Sequence, residues 1–199
     1  MPFDLPDGLA PEVYPLAWLV GRWRGEGVVG YPGIEESAFV QDVVVDHDGG
    51  PYLRYTSTMR LVVVPDNPAA LIDESVRAAA ELPGGDMLDA DAGPVWSTES
   101  GYWRISPERP ADLADGQFPV ELLLADPAGH LALYLGIVGS GRIELASDLI
   151  ASTATAVDVA AGTRLYGLVQ GDLMWAWDLA AFGQPLQTYA SARLARVEV

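Results

Sequence analysis

The 199-residue chain has no cysteine, only two histidines and no lysine, since every one of its 11 basic side chains is an arginine. The missing cysteine excludes a disulfide scaffold, a thiol nucleophile, a CxxC zinc site and a Cys-ligated iron–sulfur cluster. The missing lysine excludes Schiff-base chemistry and the phosphate-gripping lysine of a P-loop. A Ser-His-Asp relay or an imidazole metal site would have to use His47 or His130. Positive charge is scarce as well: 28 acidic against 11 basic residues leave a net charge of −17. Phosphate neutralisation needs a basic stripe and no window holds one, so no nucleic-acid partner is expected. The same charge disfavours an anionic membrane surface. No stretch approaches the roughly 18 apolar residues of a membrane span. Met1-Pro2-Phe3-Asp4-Leu5-Pro6-Asp7 has neither the basic region nor the apolar run of a signal peptide, so a cytoplasmic protein is expected.

What the chain does have is apolar content in a regular pattern. Half of its residues are hydrophobic, enough for a large core in one domain spanning 1–199. Leu173, Trp175, Trp177 and Leu179 fall on one face of a strand whose other face carries Met174, Ala176, Asp178 and Ala180. The same alternation marks 39–45, 52–64, 118–124, 130–138, 142–147, 154–159 and 164–169. Between these runs stand turn residues: Asp46-His47-Asp48-Gly49-Gly50, Asp126-Pro127-Ala128-Gly129, Gly139-Ser140-Gly141, Ala161-Gly162 and Gln170-Gly171-Asp172. Short strands joined by so many consecutive hairpins predict an all-β fold, an antiparallel up-and-down barrel in preference to a sandwich.

Helical spacing is confined to two places. Residues 11–20 predict a short helix or 3₁₀ turn that plugs one barrel end and stops at Gly21, behind an N-terminal tail of 1–10. Residues 66–91 are the one long non-strand stretch. Asn67-Pro68 starts it, Leu71, Ser75, Ala78, Ala79 and Leu82 recur at near-helical spacing, and Pro83-Gly84-Gly85 stops it. Its seven carboxylates stand against Arg77 alone, which reads as a solvated acidic insertion rather than a lid.

The most specific local pattern is Gly21-Arg22-Trp23-Arg24-Gly25-Glu26-Gly27, followed by Gly30-Tyr31-Pro32-Gly33-Ile34. Trp23 is a large inward anchor, and the alternating glycines let a first strand bend as the sheet closes. A phosphate-binding glycine loop would open a helix, whereas a strand pattern continues here. This block, with Thr98-Glu99-Ser100-Gly101-Tyr102-Trp103-Arg104 and Pro185-Leu186-Gln187-Thr188-Tyr189-Ala190-Ser191-Ala192-Arg193-Leu194, resembles the nitrobindin family over about residues 14 to 197. The resemblance implies a ten-stranded antiparallel barrel with an apolar interior, lipocalin-like and related in shape to fatty-acid-binding proteins. Its haem-binding members hold ferric haem through a histidine on the last strand, react with nitric oxide and isomerise peroxynitrite to nitrate. They typically read Pro-Leu-Gln-Pro-His-Leu there. This chain reads Pro185-Leu186-Gln187-Thr188-Tyr189-Ala190, so Tyr189 stands in the ligand's place.

Neither histidine replaces that ligand on the sequence alone: His47 sits in a polar turn and His130 at a strand start. The first expectation is therefore a binding protein rather than an enzyme, without a cofactor, metal ligand or catalytic residue. It takes a small hydrophobic molecule, with a carboxylate on that molecule as the finer reading. Tyr189, Arg193, Arg104 and Trp23 are the candidate ligand-binding residues. An arginine fork matches a carboxylate, Tyr189 and Arg193 share a face if the last strand is regular, and Arg104 ends the 101–104 strand segment. The alternative keeps haem b, with Tyr189 as an axial phenolate whose pKa, about 10 when free, is lowered by Arg193; the protein is then a haem-dependent peroxynitrite isomerase. A homodimer is left open. The six tryptophans read mainly as barrel core. Glu35 and Glu36, adjacent on a strand, face opposite ways and cannot share a glycoside.

Overall fold

The computed structural model describes residues 5–62 and 92–198. Alternation along the chain becomes ten antiparallel strands: β1 Gly21–Tyr31, β2 Ile34–Asp46, β3 Leu53–Val62, β4 Ala92–Ile105, β5 Phe118–Ala125, β6 His130–Gly139, β7 Arg142–Ser152, β8 Val159–Val169, β9 Asp172–Ala181 and β10 Gln187–Val197. Each pairs with its sequence neighbours, and β1 also pairs with β10, so the sheet closes into the expected up-and-down barrel. Inward positions carry the core, as with Leu53, Tyr55 and Met59 of β3 and Leu173, Trp175 and Leu179 of β9. Gly27 of β1 serves close packing. A Cβ on Gly27 would lie 2.7 Å from that of Ala192 on β10, so the close β1–β10 approach requires its absence.

The N-terminal plug is a 3₁₀ helix, Pro11–Leu19, that buries Val13, Leu16, Ala17, Trp18 and Leu19. Pro15 lies inside it and withholds one backbone donor, which suits a short 3₁₀ piece better than an α-helix. Trp23 locks the plug: its indole Nε1 donates to the Leu19 carbonyl at 2.8 Å, and the Arg196 guanidinium lies 4.1 Å over its ring. This end also holds the β2–β3, β4–β5, β6–β7 and β8–β9 connections.

Two local expectations are corrected. Residues 154–159 are not a strand of their own; β7 runs on to Ser152, a turn follows in which the Ala156 amide donates to the Thr153 carbonyl at 3.2 Å, and Val159 opens β8. Ala161-Gly162 is not a turn but lies within β8. Gly162 is there for space, since a Cβ on it would fall 2.9 Å from the Tyr134 hydroxyl. β7 and β8 pair only from Arg142↔Gly167 to Ala146↔Thr163, so the wall splits beyond that point. The insertion expected at 66–91 lies outside the described residues. Among the described residues, no helix is long and apolar enough to cross a membrane.

Candidate functional site: a cavity at the unplugged end

The barrel interior is packed from the plug to about its middle and opens beyond it. The β1–β2, β5–β6, β7–β8 and β9–β10 hairpins surround a cavity of about 530 Å³. Its wall is largely apolar and aromatic: Ile34, Leu124, Ala132, Ile150, Val157, Val159 and Leu179 alternate with Trp96, Tyr134, Trp177, Phe182 and Tyr189. That combination of volume and lining suits a small molecule.

One ion pair crosses the cavity floor. Glu99 projects inward from β4 and Arg164 from β8, and they meet as a two-pronged pair: Arg164 Nη1 donates to Glu99 Oε2 at 2.9 Å and Nη2 to Oε1. Both side chains are out of water, 4% exposed for Arg164 and 8% for Glu99. Nη1 also donates to the Tyr166 hydroxyl at 3.3 Å, while the guanidinium lies 4.0 Å over the Trp177 ring and 5.1 Å over that of Tyr134. Burial works against the arginine's charge, but the Glu99 carboxylate overrides it and Arg164 is more basic than a free arginine. A pair so held cannot release one partner without leaving a buried charge uncompensated.

A second tie spans the mouth. The Trp96 indole Nε1 on β4 donates to the Tyr189 hydroxyl on β10 at 2.8 Å, across three intervening strands of the barrel. Both residues sit at β-bulges. On β10, Thr188 pairs with Asp178 and Ala190 with the next residue back, Trp177, so Tyr189 is the extra residue. On β4, Ser97 pairs with Met59 and Val95 with Arg60, so Trp96 is the extra residue. Each bulge re-aims a side chain that regular alternation would have sent outward. The Tyr189 ring then stands edge-on to Trp177 at 5.0 Å between centroids. Burial raises the Tyr189 pKa above the ordinary phenol value; the hydrogen bond from Trp96 opposes that and the Glu99 charge adds to it.

The structure places the four expected residues apart. Tyr189 lines the cavity. Arg193 does not join it: the bulge separates their facing, and Arg193 points outward, where its Nε donates to Asp172 at 2.6 Å with 60% of the side chain exposed. Arg104 is also outside, 3.1 Å from Glu121 on β5. Trp23 lies at the plugged end, away from the cavity. Reading the sequence missed Arg164, Glu99 and Trp96. A usable signal existed for the pair, since Arg164 is in frame with inward Tyr166, and Glu99 with inward Trp103. His130, read as a strand-start residue, in fact lines the cavity, but its ring is bound on both sides. Nδ1 faces the Asp126 carboxylate at 3.1 Å and Nε2 the Val157 carbonyl at 2.8 Å.

Residues 12–196 match the THAP4-like, heme-binding β-barrel domain family. A "Ferric nitrobindin-like protein" of Beutenbergia cavernae is 47% identical, over 99% of this chain and 100% of the relative. This chain belongs to the nitrobindin family. Another relative of this nitrobindin barrel, named "Peroxynitrite isomerase", comes from Clavibacter sepedonicus and is 37% identical over 98% of this chain and 99% of its own length. The crystal structure of Rv2717c from M. tuberculosis superposes with a TM-score of 0.69 at 29% identity, covering 96% of this chain and 99% of that one.

A nitrobindin that carries haem must offer the iron a donor. Among the described lining residues of this one, the candidate donors are His130 and Tyr189. Both nitrogens of His130 face other partners. Tyr189 would have to ionise to serve; burial raises its pKa, its hydroxyl already accepts from Trp96, and among the described residues no arginine stands against it to favour the phenolate, since Arg193 is outside and Arg164 belongs to Glu99. The described residues of this cavity offer ferric haem no donor free of another partner. Among the described residues, no group of three His, Asp or Glu side chains could hold a metal ion either.

Proposed function

We propose that this nitrobindin-family barrel is a cytoplasmic binding protein that holds a small hydrophobic molecule in the unplugged-end cavity without haem, and that Tyr189 stands where haem-binding relatives carry their ligand histidine. The observation that carries this reading is an apolar, aromatic cavity in which the candidate iron donors among the described residues, His130 and Tyr189, are both hydrogen-bonded to other groups. Arg104 and Arg193, expected to anchor a ligand carboxylate, carry ion pairs on the outer surface, so the reading keeps the hydrophobic ligand and gives a carboxylate no anchor.

Hemin titration tests it. The full chain is expected to show only weak, nonspecific absorbance, and Tyr189→His is expected to gain a defined Soret band by placing an imidazole at that bulge. A defined Soret band in the unaltered chain that vanishes in Tyr189→Phe would instead establish the tyrosinate-ligated haem reading. Native mass spectrometry of the purified protein is expected to retain an apolar adduct. A bare protein that also binds no apolar probe overturns the ligand reading.

A further inference from the structure

The class of molecule this cavity takes can be read from the charges in its wall, on the footing that it is a ligand site as proposed above. Among the described lining residues the acidic side chains are Glu99 and Asp126, and the basic ones are Arg164 and His130. The charge of each basic group already has an acidic partner. Arg164 grips Glu99 with both terminal nitrogens and lies 4.0 Å over Trp177 and 5.1 Å over Tyr134, and its remaining donor, Nε, is buried out of contact with solvent and has no partner among the described residues; His130 is fixed between Asp126 and the Val157 carbonyl. An entering anion meets, among the described lining residues, a floor pair that is neutral as a whole, the Asp126 carboxylate, and the field of a chain carrying −17. The carboxylates, by contrast, keep acceptor capacity beyond what Arg164 and His130 use. Five aromatic rings, Trp96, Tyr134, Trp177, Phe182 and Tyr189, stand among the aliphatic lining residues, and ring faces attract cations. Arg164 already exploits that at 4.0 Å over Trp177.

We infer that the cavity selects a flat aromatic molecule carrying a delocalised positive charge, of the aromatic amine or iminium type, and rejects carboxylates and other anions. Three fused-ring probes of matched size separate the terms in the full chain: proflavine as the cation, carbazole as the neutral ring and anthracene-9-carboxylate as the anion, each followed by isothermal calorimetry and ligand fluorescence. Proflavine is expected to bind at least tenfold more tightly than anthracene-9-carboxylate, with carbazole between them. Asp126→Asn is expected to weaken proflavine several-fold and leave carbazole unchanged. Glu144→Gln, which removes the same charge from the exposed outer face, is expected to change neither. Equal or tighter binding of the anion overturns the charge selection while leaving a ligand site in place. Equal loss of proflavine in Asp126→Asn and Glu144→Gln assigns its binding to the outer surface and also overturns it. If none of the three probes binds, the ligand site itself falls.

Discussion

Removing one half of the Glu99–Arg164 pair strands a buried charge inside this barrel. Glu99→Gln preserves shape but turns one carboxylate oxygen into an amide that donates, so a guanidinium N–H faces another donor and the positive charge loses its counterion. Screening by solvent offers no relief, because the two side chains are only 8% and 4% exposed. Breaking a buried pair from one side costs about 3–5 kcal/mol. For a chain of this size each kcal/mol moves Tm by about 2–4 °C, so Tm is expected to fall by roughly 6–20 °C. Urea unfolding followed by tryptophan fluorescence, with calorimetry alongside, measures the loss. The companion variant Glu99→Leu/Arg164→Met removes both charges and is expected to be more stable than Glu99→Gln, since desolvation of the pair offsets much of its attraction. It will not reach neutrality in full, because Arg164 also packs over Trp177 and Tyr134. A Glu99→Gln loss below about 1 kcal/mol, the range of solvent-exposed pairs, would mean that water reaches the pair and would refute the description of the cavity floor. So would a double variant whose loss equals the sum of the two single ones.

Tyr189→Phe removes the tie across the mouth and is expected to cost about 0.5–1.5 kcal/mol, near the lower end because Trp96 is 36% exposed and its indole can turn to solvent; a shift in tryptophan emission and the urea midpoint report it. Burial raises the phenols of Tyr55, Tyr166 and Tyr189 above their ordinary value. The unfolded phenols ionise first, so their contribution is complete below about pH 10 and declines as pH climbs through the folded values. The urea midpoint should therefore fall on going above pH 10, and a midpoint flat from neutrality to pH 11 contradicts the assignment. Gly162→Ala drives a Cβ to within 2.9 Å of the Tyr134 hydroxyl, an overpacking expected to cost about 1–3 kcal/mol and to shrink the cavity, seen as weaker binding of carbazole. Arg104→Ala and Arg193→Ala break only exposed pairs and are expected to stay within about 0.5 kcal/mol of the parent, with ligand binding unaltered.

Alternation reports facing only while a strand stays regular, and that condition separates the parts of this barrel that could be read in advance from those that could not. β5 and β6, expected at 118–124 and 130–138, run Phe118–Ala125 and His130–Gly139, because strong apolar runs there end in unambiguous turn residues. The plug and the inward anchor Trp23 were equally legible, since proline and glycine punctuate them. The small residues of 154–159 mimic alternation without the bulk that makes it meaningful, and Gly162 carries a turn's signature while serving as space for Tyr134. At the site the failures have two physical sources, bulges and barrel closure. The spacing of Tyr189 and Arg193 puts both on one face of a regular strand, but a single extra residue between Thr188 and Ala190 turns the tyrosine inward and leaves the arginine with Asp172. The same device at Trp96 brings the opposite wall to meet it. Glu99 and Arg164 lie 65 residues apart on β4 and β8 and face each other only because the sheet closes. Closure brings Glu99 and Arg164, both in regular inward frame, onto one floor, and the bulges decide that Trp96 and Tyr189 meet at the mouth, so the cavity floor follows the pattern that builds the walls and its mouth follows the departures from it.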